Sequence, residues 1–252
     1  MKTEMIPGKK APYICTPLVG QNQEEIVKEL EVILPKQPDI LEWRVDFYKE
    51  IDQLSSVLET AERIAAIADL PILFTIRSEK EGGQSIPLSE GEKVELLCEV
   101  CRKQAVQFID FEVANDAEHI KAIREVSKSN GVKLVLSYHN FEYTPESKEI
   151  IERLQLAESY GADVAKAAVM PKSKDDVLRL LALTKEADKA MGIPLITMSM
   201  GSIGGLSRIM GWVYGSVLTF AVGVQSSAPG QIPIDTLREV IASTQESLPD
   251  WS

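Results

Sequence analysis

Cysteine, histidine, positive charge and long apolar runs are all scarce in this chain, and each shortage removes a class of protein. Its three cysteines (Cys15, Cys98, Cys101) are an odd number, which does not suggest a disulfide framework. Cys98 and Cys101 have C-x-x-C spacing but sit in the helical pattern Glu92-Lys-Val-Glu-Leu-Leu-Cys-Glu-Val-Cys-Arg102. With no second pair nearby, helix packing is the better reading than zinc. No apolar stretch reaches the about 18 residues that suggest a membrane span. Residues 1–10 lack the apolar core of a signal peptide, so a cytoplasmic protein is expected. With 27 Lys and Arg against 38 Asp and Glu, the net charge of −11 argues against a nucleic-acid partner, whose phosphates need a basic footprint. No G-x-G-x-x-G follows the first candidate strand, so a dinucleotide fold lacks its fingerprint. Linkers, repeats and low-complexity segments are also missing, and a single domain over residues 1–252 is expected.

What the chain does have is a rhythm. Its 252 residues, 44% hydrophobic and 26% charged, have the make-up of an ordinary globular domain. Short apolar runs recur at 13–19, 40–45, 72–76, 106–112, 133–138, 163–169, 194–198 and 217–222. Helical patterns fill the gaps. Asn22 with Glu25, Ser89 with Glu92, and Ser173 with Asp176 have capping-box spacing. Thr144 followed by Pro145 puts proline at a first helical position. Gly131 and Gly192 fall between helices and strands, where left-handed caps belong. Eight strand–helix units predict an α/β fold, a (β/α)8 TIM barrel, better than an open sheet. The first ten residues stand outside the rhythm and are expected to cover the barrel bottom.

Such barrels place their active sites at the carboxyl ends of the strands. Here those ends carry Glu42, Arg44 and Asp46, then Arg77, Asp110 and Glu112, then His139, Lys166, Met198, Met200 and Phe220. Alternation puts Glu42, Arg44 and Asp46 on one strand face, expected to be the interior. Arg44, Arg77 and Arg208 gathered in a cleft of an acidic protein suggest a small anionic ligand.

Lys166 lies inside the run Asp163-Val-Ala-Lys-Ala-Ala-Val-Met170. Burial strips an ammonium of hydration and favours the free amine, which can attack a carbonyl and form a Schiff base. The bland alternative is a lysine snorkelling to solvent or tamed by an ion pair. Of the two histidines, His119 lies at a surface-looking helix start and reads as structural. His139 follows the strand before Lys166 and can move protons near neutral pH. An iminium withdraws electrons and acidifies the adjacent carbon, so the two make a coherent pair.

Two loops complete the mouth. Arg77-Ser-Glu-Lys-Glu-Gly-Gly-Gln84 supplies Arg77 and Glu81 beside a flexible Gly-Gly. Gln225-Ser-Ser-Ala-Pro-Gly-Gln231 reads as a lid over bound ligand, or as a solvated turn. The glycines of Gly201-Ser-Ile-Gly-Gly-Leu-Ser-Arg208 either cradle a phosphate or let Arg208 swing inward.

Taken together, these residues resemble type I 3-dehydroquinate dehydratase. The matching motifs are Glu42-Trp-Arg-Val-Asp46, Thr75-Ile-Arg-Ser78 with Glu81-Gly-Gly83, Ile109-Asp-Phe-Glu112, Ser137-Tyr-His-Asn-Phe141 and Asp163–Pro171. Met198-Ser-Met-Gly201, Ser207-Arg208 and Ser227-Ala-Pro-Gly-Gln231 follow in order. The resemblance implies dehydration of 3-dehydroquinate to 3-dehydroshikimate in the shikimate pathway, by syn elimination through an enamine. It implies Lys166 as the Schiff-base lysine, His139 as general acid and base, and Glu81 as the group that orients or tunes His139. Arg208, Ser227 and Gln231 would hold the substrate carboxylate region. Glu42, Arg44 and Arg77 would bind ring hydroxyls, and Met198, Met200 and Phe220 would form apolar walls. It also implies a homodimer built from outer helices. Where some relatives have a serine at the end of strand one, this chain has Pro17, leaving backbone or Thr16 for any contact.

The physical requirement agrees. An alkyl ketone is too weak an acid for imidazole to deprotonate quickly, and a protonated imine supplies the electron sink without a metal or organic cofactor. Three other readings remain at this stage. They are a class I aldolase on a similar barrel, a metal-dependent lyase using Glu42, Asp46, Asp110, Glu112 and His139, and a non-catalytic barrel.

Overall fold

Each of the eight apolar runs forms a strand, and all eight run parallel. The computed structural model describes residues 5, 6 and 8–248. The strands are β1 (Tyr13–Leu18), β2 (Ile40–Arg44), β3 (Ile72–Thr75), β4 (Phe108–Glu112), β5 (Lys133–Asn140), β6 (Val164–Val169), β7 (Leu195–Ser199) and β8 (Leu218–Val222). A two-residue β9 (Ile232–Pro233) follows in the last loop. The hydrogen-bonded order is β7-β6-β5-β4-β3-β2-β1-β8-β9. The two ends meet where Val217 N donates to Leu195 O at 2.8 Å, beside an isolated parallel bridge between Leu195 and Ser216. The sheet therefore closes as a (β/α)8 barrel. The β7–β8 seam is narrow at the bottom, and β9 occupies the outer edge of β8 at the mouth.

Helices α1 (Gln23–Ile33), α2 (Leu54–Ala68), α3 (Glu90–Lys103), α4 (Ala117–Ser129), α5 (Ser147–Ser159), α6 (Lys174–Ala190), α7 (Gly205–Met210) and α8 (Ile234–Ser247) alternate with the strands. Ser89 with Glu92 and Ser173 with Asp176 form complete capping boxes. Asn22 caps α1, but Glu25 accepts from the Gln21 N–H and the Asn22 side chain instead of closing a box. Two expected helix signals fail. Helix α5 begins at Ser147 with Glu146 as its N-cap, because the Thr144 hydroxyl binds Met170 O while Arg179 takes the Thr144 and Pro145 carbonyls. Gly131 has φ +71°, but Gly192 is no left-handed cap. Helix α6 leaves through an extended Met191, and the Gly192 N–H donates to Glu158. Cys98 and Cys101 are buried, free thiols on α3. Among the described residues, no helix is long and apolar enough to cross a membrane.

Strand alternation separates two apolar layers. Outward residues such as Leu41, Trp43 and Phe74 pack under the helices, with Trp43 edge-on to Phe74 at 5.4 Å. Inward residues form a second cluster of Tyr13, Cys15, Ile40, Leu73, Phe108, Val135, Val164, Ile196 and Leu218. Met5 joins this interior cluster, its carbonyl held by Lys133 Nζ at 2.7 Å. Lys9 pairs with buried Asp39, which also accepts the Ile14 N–H. The expected bottom cover is thus seen at Met5 and Lys9, while residues 1–4 and 7 lie outside the described residues. Thr16 shares the outward face of Ile14 and Leu18, and its buried hydroxyl has no partner among the described residues. The expected contact from Thr16 to the site is therefore excluded by strand parity.

Candidate active site

Going up the interior face of each strand, apolar residues give way to polar ones. Ile40 leads to Glu42 and Arg44, Leu73 to Thr75, Phe108 to Asp110 and Glu112, Val135 to Ser137 and His139, and Val164 to Lys166. Register then fixes who meets whom. Ser137 stands opposite Lys166, and Asp110 opposite Thr75. The result is a cavity of about 440 Å³, counted to its open mouth. It is lined by Lys166, His139, Glu81, Glu42, Arg44 and Arg77, and by Arg208, Ser227, Gln231, Met198, Met200 and Phe220.

Lys166 is 4% exposed and does not snorkel. Its Nζ donates to Asp110 Oδ2 at 3.1 Å, lies 3.9 Å from Glu42 Oε1, and sits 4.7 Å from the Phe220 ring centroid. The buried nitrogen therefore lies beside two carboxylates, the ion pairing that the sequence alone leaves open. Glu42 is itself steadied by the Thr75 hydroxyl at 3.1 Å. Burial alone would raise Asp110, but Arg77 and Lys166 outweigh it and hold the carboxyl at about 2.

His139 lies within β5, and its Nδ1 is 2.8 Å from Glu81 Oε2. Burial, reinforced by the positive Arg77, Lys166 and Arg44, pushes the imidazole well below its ordinary range. Burial and the Glu112 carboxylate push Glu81 up to about 8 against the pull of Arg77. Both partners thus favour their neutral forms.

The loop carrying Glu81 is closely packed. Ser78 caps a 3-10 turn at Glu79–Glu81, and Gly82 takes φ +85° with the Phe141 ring where a Cβ would stand, 2.4 Å away. A Cβ on Gly83 would meet Arg77 O at 2.0 Å. The Gly-Gly pair is therefore required by close packing, since neither position has room for a side chain.

Asp46 departs from its expected place. Strand β2 ends at Arg44, and Asp46 lies in the following 3-10 turn at Val45–Phe47, off the interior face. There it accepts both Nε (2.8 Å) and Nη2 (2.7 Å) of Arg44 and the Arg77 and Gln84 N–H groups. Arg77 donates Nη2 to Asp110 at 2.7 Å and Nη1 to Glu112 and Ser137 at 3.1 and 2.9 Å. Its position against these carboxylates raises its pKa above the ordinary guanidinium value, against burial. Three of its donations go to these wall residues, while the side chain still lines the cavity.

Arg208 belongs to α7, in the segment that follows β7, and points inward, reaching Phe220 O at 3.4 Å, Met198 Sδ at 3.7 Å and Pro229 O at 3.0 Å. Among the described residues it has no carboxylate partner, and its buried Nε has no acceptor. Burial brings its pKa down to about 10. The glycines before it do not cradle an anion. The N–H groups of Gly201, Gly204 and Gly205 donate to Pro229 O, Gly201 O and Ser202 O. The 225–231 loop is folded over the mouth, with Gln231 Oε1 accepting the Ser227 N–H and Arg44 Nη1 3.4 Å from Ser227 O.

A buried amine, a depressed imidazole and a guanidinium without a carboxylate partner among the described residues surround one cavity, and known proteins share the whole frame. The family model described as type I 3-dehydroquinase matches residues 14–247. The chain belongs to the type I 3-dehydroquinase family. It is 52% identical over 242 residues to a 3-dehydroquinate dehydratase of Geobacillus sp. (strain WCH70), covering 96% of this chain and 93% of the relative. The crystal structure of 3-dehydroquinate dehydratase from Geobacillus kaustophilus superposes with a TM-score of 0.92 at 47% identity, covering 97% of this chain and 99% of that one. A type I enzyme from Clostridium difficile with covalent modified comenic acid gives 0.90 at 37%, covering 95% and 94%.

Four type I 3-dehydroquinase wall residues escaped the sequence reading as site residues. Phe141, Ala168, Gly82 and Ala228 line the cavity. Alternation was the available signal for two of them, since Phe141 is two residues beyond His139 and Ala168 two beyond Lys166. Asp110 entered the sequence analysis as a strand-end carboxylate with a role only in the metal alternative, and Ser137 only within a motif.

Proposed function

We propose that this enzyme dehydrates 3-dehydroquinate to 3-dehydroshikimate through a Schiff base on Lys166. Lys166 Nζ, as free amine, adds to the C3 ketone and loses water to give the iminium. His139 removes a C2 proton, and the bonding electrons pass into the imine to form an enamine. The same imidazolium then protonates the departing C1 hydroxyl, which leaves as water while the enamine returns to iminium. Hydrolysis frees the product and restores the amine. General acid–base help of this kind contributes roughly 10²–10⁴-fold. Glu81 holds the ring and offsets its charge when protonated.

Arg208, Ser227 and Gln231 take the carboxylate end. Glu42, Arg44 and Arg77 orient the ring hydroxyls, and Met198, Met200 and Phe220 exclude water from the iminium. No metal or organic cofactor enters this scheme. The carboxylates of the competing metal reading are engaged internally, Asp46 by Arg44, and Asp110 and Glu112 by Arg77. The glycine N–H groups of 201–205, the candidate phosphate cradle of an aldolase, are bound to carbonyls of the chain itself. The protein acts as one catalytic barrel over residues 1–252, in the cytoplasm and in the shikimate pathway, as a homodimer.

The observation that carries this reading is the meeting of Lys166 and His139 in one cavity with Arg208, a cation that has no carboxylate partner among the described residues. Ultraviolet absorbance of the conjugated product tests it. Purified protein given 3-dehydroquinate, with and without chelator, should generate the enone carboxylate at the same rate. A folded protein that produces none would end the assignment.

A further inference from the structure

Asp110 has no part in the Schiff-base scheme so far, yet three side chains hold its carboxylate. Its carboxylate is entirely buried, and its two oxygens are used differently. Oδ1 accepts Arg77 Nη2 at 2.7 Å and the Ser137 hydroxyl at 2.6 Å. Oδ2 faces Lys166 Nζ at 3.1 Å. Arg77 and Ser137 are themselves joined at 2.9 Å, so Oδ1 is gripped from two sides and the carboxyl plane cannot turn. The register gives the reason. Ser137 is the β-partner of Lys166 on β6 and stands one strand from Asp110 on β4.

We infer that Asp110 is a catalytic residue of this enzyme, the fixed counter-ion of the reacting nitrogen, and that Ser137 is the positioning residue that aims its free oxygen. The inference rests on the Schiff-base reading of Lys166. Before reaction Asp110 aims the amine. Once the iminium has formed, the same oxygen faces the positive nitrogen and keeps it protonated, so the electron sink survives until the C1 hydroxyl has left. A carboxyl held ionised across the working pH range can fill this role, because it does not take the proton itself.

Other charges also face the nitrogen. Glu42 lies 3.9 Å away from β2, Arg77 lies behind Asp110, His139 approaches from β5, and the Cys15 thiol lies below on β1. Removing the Asp110 charge leaves Glu42 in place and Arg77 less compensated. Both the lost attraction and the uncovered guanidinium favour the free amine, so the effect has one sign.

The test is the rate of imine formation with 3-dehydroquinate, trapped by borohydride across pH, in the unaltered protein, Asp110→Asn and Ser137→Ala. For Asp110→Asn the rise in rate with pH should move to lower pH, while kcat/KM falls on the order of 10²-fold. Ser137→Ala should lower kcat/KM about tenfold, as loss of a hydrogen bond to a charged group does, with KM little changed. A uniform loss at every pH without movement of the profile would reduce Asp110 to a structural role and overturn the inference. If Asp110→Asn does not fold, Ser137→Ala decides, and unchanged turnover there overturns it. Failure of the unaltered protein to form any adduct would instead remove the imine reading itself, and this inference with it.

Discussion

His139 Nδ1 lies 2.8 Å from Glu81 Oε2, and the same oxygen accepts the His139 backbone N–H at 3.0 Å. One carboxylate oxygen therefore fixes both the ring and the strand that carries it. With Glu81 pushed up to about 8, the pair holds its extra proton at neutral pH. It releases that proton as pH rises through this value. Nδ1–H then donates to the carboxylate, and Nε2 is left bare to act as base. The base-competent form is present above about 8 and is lost as pH falls. The profile of kcat/KM should show a rising limb in this region. Glu81→Gln should abolish the limb and lower kcat by about 10–100-fold. A limb that persists in Glu81→Gln would assign the ionisation to another group.

Arg208 is a buried guanidinium without a carboxylate partner among the described residues, an arrangement that weakens a folded protein unless an anion joins it. Arg208→Met should therefore leave the melting temperature unchanged or raised while weakening substrate binding about 100-fold, the loss typical of a buried charge pair. Isothermal titration and thermal melts check the two halves separately. A destabilised variant with normal affinity would make Arg208 a packing residue.

The 225–231 loop meets the 201–205 turn at a point with no room for a side chain. Gly230 has φ +78°, and a Cβ there would stand 2.2 Å from Gly201 O. Gly230→Ala should prevent the loop from seating and raise KM about tenfold, in line with the roughly 1–2 kcal/mol strain of a left-handed alanine. The loop should also be cut faster by protease, with barrel stability intact. An unaltered KM would mean that loop closure does not contribute to binding.

Most of the barrel was legible because two periodicities do not overlap. Apolar runs of four to eight residues separate from helical spacing, and alternation then tells the interior from the exterior. Lys166 stood out for the same reason, as one charge inside an apolar run. The failures share a cause, the need for a distant partner. Asp46 drops off β2 because pairing with Arg44 and two N–H groups of the next loop outweighs another residue of strand. Pro145 fails to start α5 because Arg179, more than thirty residues later, claims the carbonyls beside it. Which carboxylate meets Lys166 depends on β-register across β4, β5 and β6, and nothing in one strand's sequence states it.

The central claim is that the Lys166 nitrogen becomes covalently joined to the substrate. Incubation with 3-dehydroquinate and borohydride, followed by peptide mass spectrometry, reads this directly. A stable adduct is expected on the peptide containing Lys166, absent when Lys166→Ala is treated in the same way. A folded, unaltered protein that turns over substrate yet carries no adduct, or carries it on another lysine, would contradict it.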